Sequence, residues 1–158
     1  MTNIRFQPGK FLIILSIFLF YTIYLVSPKI AYSMDSIEES NLMQRAYEFL
    51  NEGETDNALQ LYDDILSVNP THTHALNYKG LALASLGNYE EAIQWYDKVL
   101  DINPTDLSAL NNKGVALYNL GYYEEAIQWY DKVLDIDPND SDAKYNKNIA
   151  LLSLNKSK

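Results

Sequence analysis

An all-α fold, built as a solenoid of helix–turn–helix units, is predicted by three observations. The stretch Asn88–Pro104 returns at Tyr122–Pro138 with fifteen of seventeen positions identical. A looser copy lies upstream at the same offset, where Ala58, Gln60, Tyr62, Asp63, Leu66, Asn69 and Pro70 fall in register. Within each copy the apolar residues follow helical spacing, while glycine and proline interrupt the pattern at matching places. A period of about 34 residues means one supersecondary unit that cannot bury its apolar face alone and so stacks on its neighbours.

The N-terminal residues stand apart from the repeats. Arg5 and Lys10 precede an apolar run from Phe11 to Val26, broken only by Ser16 and Thr22, and Pro28-Lys29 ends it. A basic start, an apolar middle and small residues at Ala31 and Ser33 make the pattern of a secretory signal peptide within residues 1–33. As a helix the run spans about 24 Å, short of the roughly 30 Å hydrocarbon core. Extension through Tyr32 reaches about 33 Å, with Lys29 snorkelling to the head groups and Tyr21, Tyr24 and Tyr32 suited to the interface. The expectation is one N-terminal hydrophobic helix retained as a membrane anchor. Cleavage after Ser33, giving a secreted protein, is the alternative. Either way the positive-inside rule places the repeats outside the cytoplasm.

Residues 34–41 are polar and read as a linker into the first repeat helix, with the repeat domain over 42–158. In the second unit Ala75, Leu76, Lys79, Gly80, Leu83 and Leu86 trace a first helix, which Gly87-Asn88 stops because glycine accepts the left-handed closing conformation. Tyr89 to Ile102 forms the second helix. Glu90 and Glu91 lie in its first turn, where the dipole favours carboxylates, and Ala92, Ile93, Trp95, Tyr96, Val99 and Leu100 make a broad apolar stripe. Asn103-Pro104 ends it. The third unit repeats the plan through Gly114, Gly121 and Pro138, and the first uses Ala46, Gly53 and Pro70. Units therefore fall at about 39–72, 73–106 and 107–140. Residues 141–154 form a capping helix, with Lys144, Asn146, Lys147 and Asn148 as its polar outside.

These residues resemble the tetratricopeptide repeat family. Its small residue in the first helix, Gly-x-Tyr turn, Ala-x-x-x-Tyr second helix and closing proline match Gly80, Gly87, Tyr89, Ala92, Tyr96 and Pro104. They match again at Gly114, Gly121, Tyr123, Ala126, Tyr130 and Pro138. The first unit agrees through Ala46, Phe49, Ala58, Tyr62 and Pro70, but has Glu54-Thr55 where the turn tyrosine belongs; Leu76 and Leu110 replace an early tryptophan. The resemblance covers about residues 39–154 and implies a right-handed superhelix. In physical terms, Gly80 and Gly114 let the two helices of a unit approach. Ala92 and Ala126 do the same for adjacent units, and Tyr96 and Tyr130 fill the space between.

Composition excludes several chemistries. There is no cysteine, hence no disulfide, thiol nucleophile, iron–sulfur cluster or thiolate zinc site. After Ser33 there are 9 basic and 21 acidic side chains, a net charge of 9 − 21 = −12, which repels phosphate backbones and argues against a nucleic-acid partner. A pentatricopeptide-like RNA binder is opposed by the same missing basic groove. His72-Thr-His74 has no further ligands at metal spacing and reads as a loop or helix start. Asp135-x-Asp137-x-Asn139-Asp140 resembles the opening of a calcium loop, but Asp140 and Asn146 stand where its glycine and closing acid belong, so it reads as a turn. Glu90-Glu91 and Glu124-Glu125 read as helix-start carboxylates. No phosphate loop, nucleophile elbow or metalloprotease motif occurs. No enzyme, metal or cofactor is expected.

The resemblance implies a non-catalytic interaction module, exported or membrane-tethered, that holds a peptide or partner helix on a concave surface of first helices. The positions expected to face that groove are Met43, Tyr47 and Leu50, then Asn77, Leu81 and Ala84, then Asn111, Val115 and Tyr118. Tyr145 and Ile149 extend it on the cap. Asn77 and Asn111 could bracket an extended peptide backbone, or bond within the repeat stack. Relatives that clamp a terminal carboxylate present lysine, asparagine and arginine at positions matching Met43, Tyr47, Tyr78, Ser108 and Asn112, among which there is no cation, so no such clamp is expected. The alternative function is a structural accessory protein that self-associates through its repeats at the membrane, as a homo-oligomer.

Overall fold

The computed structural model describes residues 37–157, which hold seven helices and no strand. Helix α1 covers 37–52, and then come α2 (Thr55–Val68), α3 (Thr73–Ser85), α4 (Tyr89–Ile102), α5 (Leu107–Asn119), α6 (Tyr123–Ile136) and α7 (Ser141–Lys156). Leu42–Lys158 forms one compact unit. The hydrophobic helix and the cleavage point expected in residues 1–33 lie outside the described residues. Among the described residues, no helix is long and apolar enough to cross a membrane. The expected linker is helical from residue 37, since no glycine or proline interrupts 37–52 and Glu38 and Glu39 are good helix formers.

The turn within each unit is built the same way. At the end of α3, Gly87 has φ +82°, its N–H donates to the Ala84 carbonyl at 3.0 Å, and the Asn88 N–H donates to the Leu83 carbonyl at 3.0 Å. These two bonds satisfy carbonyls that the helix end leaves open, and only a residue without Cβ adopts that φ at little cost. Gly121 and Gly53 close α5 and α1 with the same pair of bonds. Between units, the last N–H bond of α4 runs from Asn103 to the Val99 carbonyl at 2.8 Å, just before Pro104 ends the helix.

Packing follows the repeat period. Leu83, Ala92 and Tyr96 form one buried cluster with Ala116 of the next unit, and Leu117, Ala126 and Tyr130 form another with Ala150 of α7. Each cluster therefore joins both helices of one unit to the first helix of the following one. A Cβ placed on Gly80 would lie 2.5 Å from Tyr96 Cε1, and one on Gly114 would lie 2.5 Å from Tyr130 Cε1. The tyrosine ring thus occupies the space its own unit's glycine vacates, which refines the expectation that it sits between units. Tyr62, Tyr96 and Tyr130 are essentially inaccessible, and burial pushes each phenol well above its ordinary pKa. First helices also touch each other, α3 on α5 and α5 on α7, so they form the inner layer of the stack.

Candidate functional site

A cleft of about 320 Å³ opens on this inner layer. Helix α3 contributes Asn77, Tyr78 and Leu81 to it, α5 contributes Leu107, Ser108, Asn111 and Asn112, and the start of α7 contributes Asp140 and Asp142. A second, smaller cleft of about 150 Å³ shares Asn77, Tyr78 and Ser108 and adds Thr73, His74 and Asp106. The acids reach these walls because they start helices. Asp106 caps α5 by accepting from the Ala109 N–H at 2.9 Å, and Asp140 caps α7 by accepting from the Ala143 N–H at 2.7 Å. His72 caps α3 in the matching place, its Nδ1 accepting from the Ala75 N–H at 3.0 Å, so this histidine does serve as a helix start. The calcium-like run is a turn in which Asp137 Oδ1 accepts from the Asn139 N–H at 2.9 Å. Among the described residues, no group of three or more histidine, cysteine and acidic side chains is placed to hold a metal ion.

The two asparagines do two things at once. Asn77 Oδ1 accepts from Asn112 Nδ2 at 3.2 Å, and Asn111 Oδ1 accepts from Asn146 Nδ2 at 3.1 Å. Both therefore tie successive first helices together while still lining the larger cleft. Of the eleven expected groove residues, that cleft gathers Asn77, Leu81 and Asn111. Met43 and Leu50 pack partly buried on the first unit's core, and Ala84 on the second's. Tyr47 meets Tyr78 edge-on, with ring centroids 5.9 Å apart. Val115 packs on the third unit's core with Tyr118, whose hydroxyl hydrogen-bonds Ser153 of α7 at 3.1 Å. On α7, Tyr145 is 66% exposed and Ile149 half-buried.

On the far side of the first helices lies a feature the residue pattern did not announce. Lys79 is 8% exposed, pairs with Asp63 of the preceding unit, and holds its ammonium 3.9 Å from the Trp95 ring centroid. Lys113 repeats this with Asp97 and Trp129, and Lys147 pairs with Asp131. Lys98 and Lys132 also lie over the two indoles, each 3.4 Å from the centroid. At about 100° per residue, Lys79 sits about 160° round α3 from both Asn77 and Leu81, so its charge points at the second-helix layer. The signal for this was present: Asp63, Lys79 and Trp95 recur one period on as Asp97, Lys113 and Trp129.

Stacked helix pairs, an inner layer of first helices and a cleft along that layer define a helical-repeat scaffold. The sequence pattern described as tetratricopeptide repeat matches residues 43–106 and again 83–147. The chain belongs to the tetratricopeptide repeat family. No curated protein sequence matches it. Among solved structures, it is similar to the first TPR of Spaghetti (RPAP3) bound to the HSP90 peptide SRMEEVD, at 21% identity and TM-score 0.70, over 73% of this chain and 92% of that one. The Sgt2 TPR domain from Aspergillus fumigatus is 20% identical with TM-score 0.71, over 76% and 81%. The second TPR domain of human RPAP3, in complex with the HSP70 peptide SGPTIEEVD, is 22% identical with TM-score 0.66, over 75% and 96%. At these identities the likeness establishes the fold.

Proposed function

We propose that this chain is a non-catalytic interaction module that holds a peptide or partner helix in its inner groove, as a scaffold or adaptor tethered to a membrane by its N-terminal segment. The observation that carries the reading is the cleft of about 320 Å³ that three successive first helices wall together. Similar folds occur in complex with short peptides, and a groove of paired amides and a few apolar side chains suits main-chain recognition with shallow side-chain pockets. The tether rests on the basic, apolar and small-residue pattern of residues 1–33, with export after cleavage as its alternative. The experiment is selection of a displayed random nonapeptide library on the full chain in non-ionic detergent. Enriched peptides are expected to bind wild type at least tenfold tighter than Asn77→Ala/Asn111→Ala, once circular dichroism shows that variant folded. No enrichment, or equal binding to the variant, overturns the groove.

A second reading, self-association at the membrane, draws on α7, where Tyr145 and Leu152 are 66% and 62% exposed. Light scattering of the full chain in detergent separates the two, since a monomer at high concentration removes the second.

A further inference from the structure

The sign of the groove's charge points to a class of ligand, on the premise that the inner groove is the binding surface. Among the described residues, no lysine or arginine lines either cleft, whereas Asp106 lines the smaller and Asp140 and Asp142 line the larger. The first helices are not short of cations. Lys79, Lys113 and Lys147 recur in register, but each is turned to the second-helix layer and held there by Asp63, Asp97 and Asp131. The stacking that orders the repeats therefore withdraws these three cations from the groove. Swinging Lys79 or Lys113 inward would break an ion pair and a cation–π contact and expose buried methylenes. The N-terminus of α7 adds a partial positive charge of about +0.5, which the two formal charges of Asp140 and Asp142 outweigh. The repeat region's net charge of 9 − 21 = −12 deepens the negative field without opposing it.

We infer that the groove selects a basic peptide segment, one that presents lysine or arginine side chains to Asp106, Asp140 and Asp142, and that it rejects acidic or carboxylate-terminated peptides. The asparagine pairs would contact the ligand backbone, and the helix-start carboxylates would choose its side chains. This is opposite in charge to SRMEEVD and SGPTIEEVD, the peptides bound by two structures of the same fold. Like charges brought together in a groove cost more than a lost ion pair, so rejection of acids is the stronger half of the selectivity.

The test uses the library selection described above and two fluorescein-labelled nonapeptides with the same apolar residues, one carrying three lysines and the other three glutamates. Fluorescence anisotropy at low salt reads binding to the full chain in non-ionic detergent. The lysine peptide is expected to bind at least tenfold tighter than the glutamate peptide. Asp106→Asn/Asp140→Asn/Asp142→Asn preserves cap geometry, because asparagine caps as well as aspartate, and should weaken the lysine peptide about fivefold to tenfold. Glu124→Gln/Glu125→Gln, an acid loss on a second helix, should leave both affinities within twofold. Equal or tighter binding of the glutamate peptide overturns the inference, as does an equal loss in the Glu124→Gln/Glu125→Gln control. A selected pool that is neutral or acidic leaves the groove standing and removes the charge preference. A selection that enriches nothing removes both.

Discussion

Tyr62, Tyr96 and Tyr130 occupy equivalent positions, and their first-helix neighbours distinguish them. Tyr96 and Tyr130 fill the space over Gly80 and Gly114, whereas Tyr62 clusters with Ala46, which has a methyl group at the matching place. Its ring stacks on Tyr78 with centroids 6.2 Å apart, and its hydroxyl is buried with no hydrogen-bond partner among the described residues. A buried, unpaired hydroxyl costs more than its bond would return, so Tyr62→Phe should stabilise the protein by about 1 kcal/mol. Urea unfolding followed by circular dichroism reads this directly. A loss of stability in the phenylalanine variant would mean that the hydroxyl is bonded after all.

Among the elements, the second helices were legible end to end. Tyr89 to Ile102 begins and stops where the sequence pattern predicts, because Gly87 and Pro104 forbid continuation for reasons local to the backbone. The Asp63–Lys79 and Asp97–Lys113 pairs were less legible. Each joins two units through a lysine on an otherwise apolar stripe, and no spacing within one helix encodes a partner on another. The groove acids were hidden for a related reason. Asp140 read as part of a turn and Asp106 carried no reading of its own, and only the stacking of first helices brings their charges to two clefts that share Asn77, Tyr78 and Ser108. The ion pairs should matter modestly, since the Asp97 side chain is 45% exposed. A double-mutant cycle of Asp97→Ala and Lys113→Met is expected to give a coupling of about 0.5–1 kcal/mol that shrinks in concentrated salt. A coupling of zero at low salt would reduce the pairs to geometry without energy.

Across the whole stack, the three buried tyrosines make stability depend on alkaline pH. Their phenols stay protonated in the folded chain well above the unfolded value near 10, so below pH 10 they contribute no pH dependence. Above it the unfolded chain sheds protons that the folded chain keeps, and stability falls by up to about 1.4 kcal/mol per pH unit for each, or about 4 for all three. The helical signal should then collapse together with the last step of tyrosine absorbance. Titration of all tyrosines before any loss of helix would contradict their burial.

The last helix also limits how such a chain can grow. Position 148, where Gly80 and Gly114 have their counterpart, is asparagine, and Leu151 is 38% exposed where Leu83 and Leu117 are 5% and 6%. A further second helix after α7 would bring its tyrosine against the Asn148 side chain, with no vacated space to enter. Copying one helix-pair module and inserting it ahead of Ser141 meets glycine, alanine and aspartate where each is needed. Duplication of a helix-pair module therefore meets matched packing ahead of Ser141, whereas a second helix added after α7 meets the Asn148 side chain where a tyrosine ring would sit.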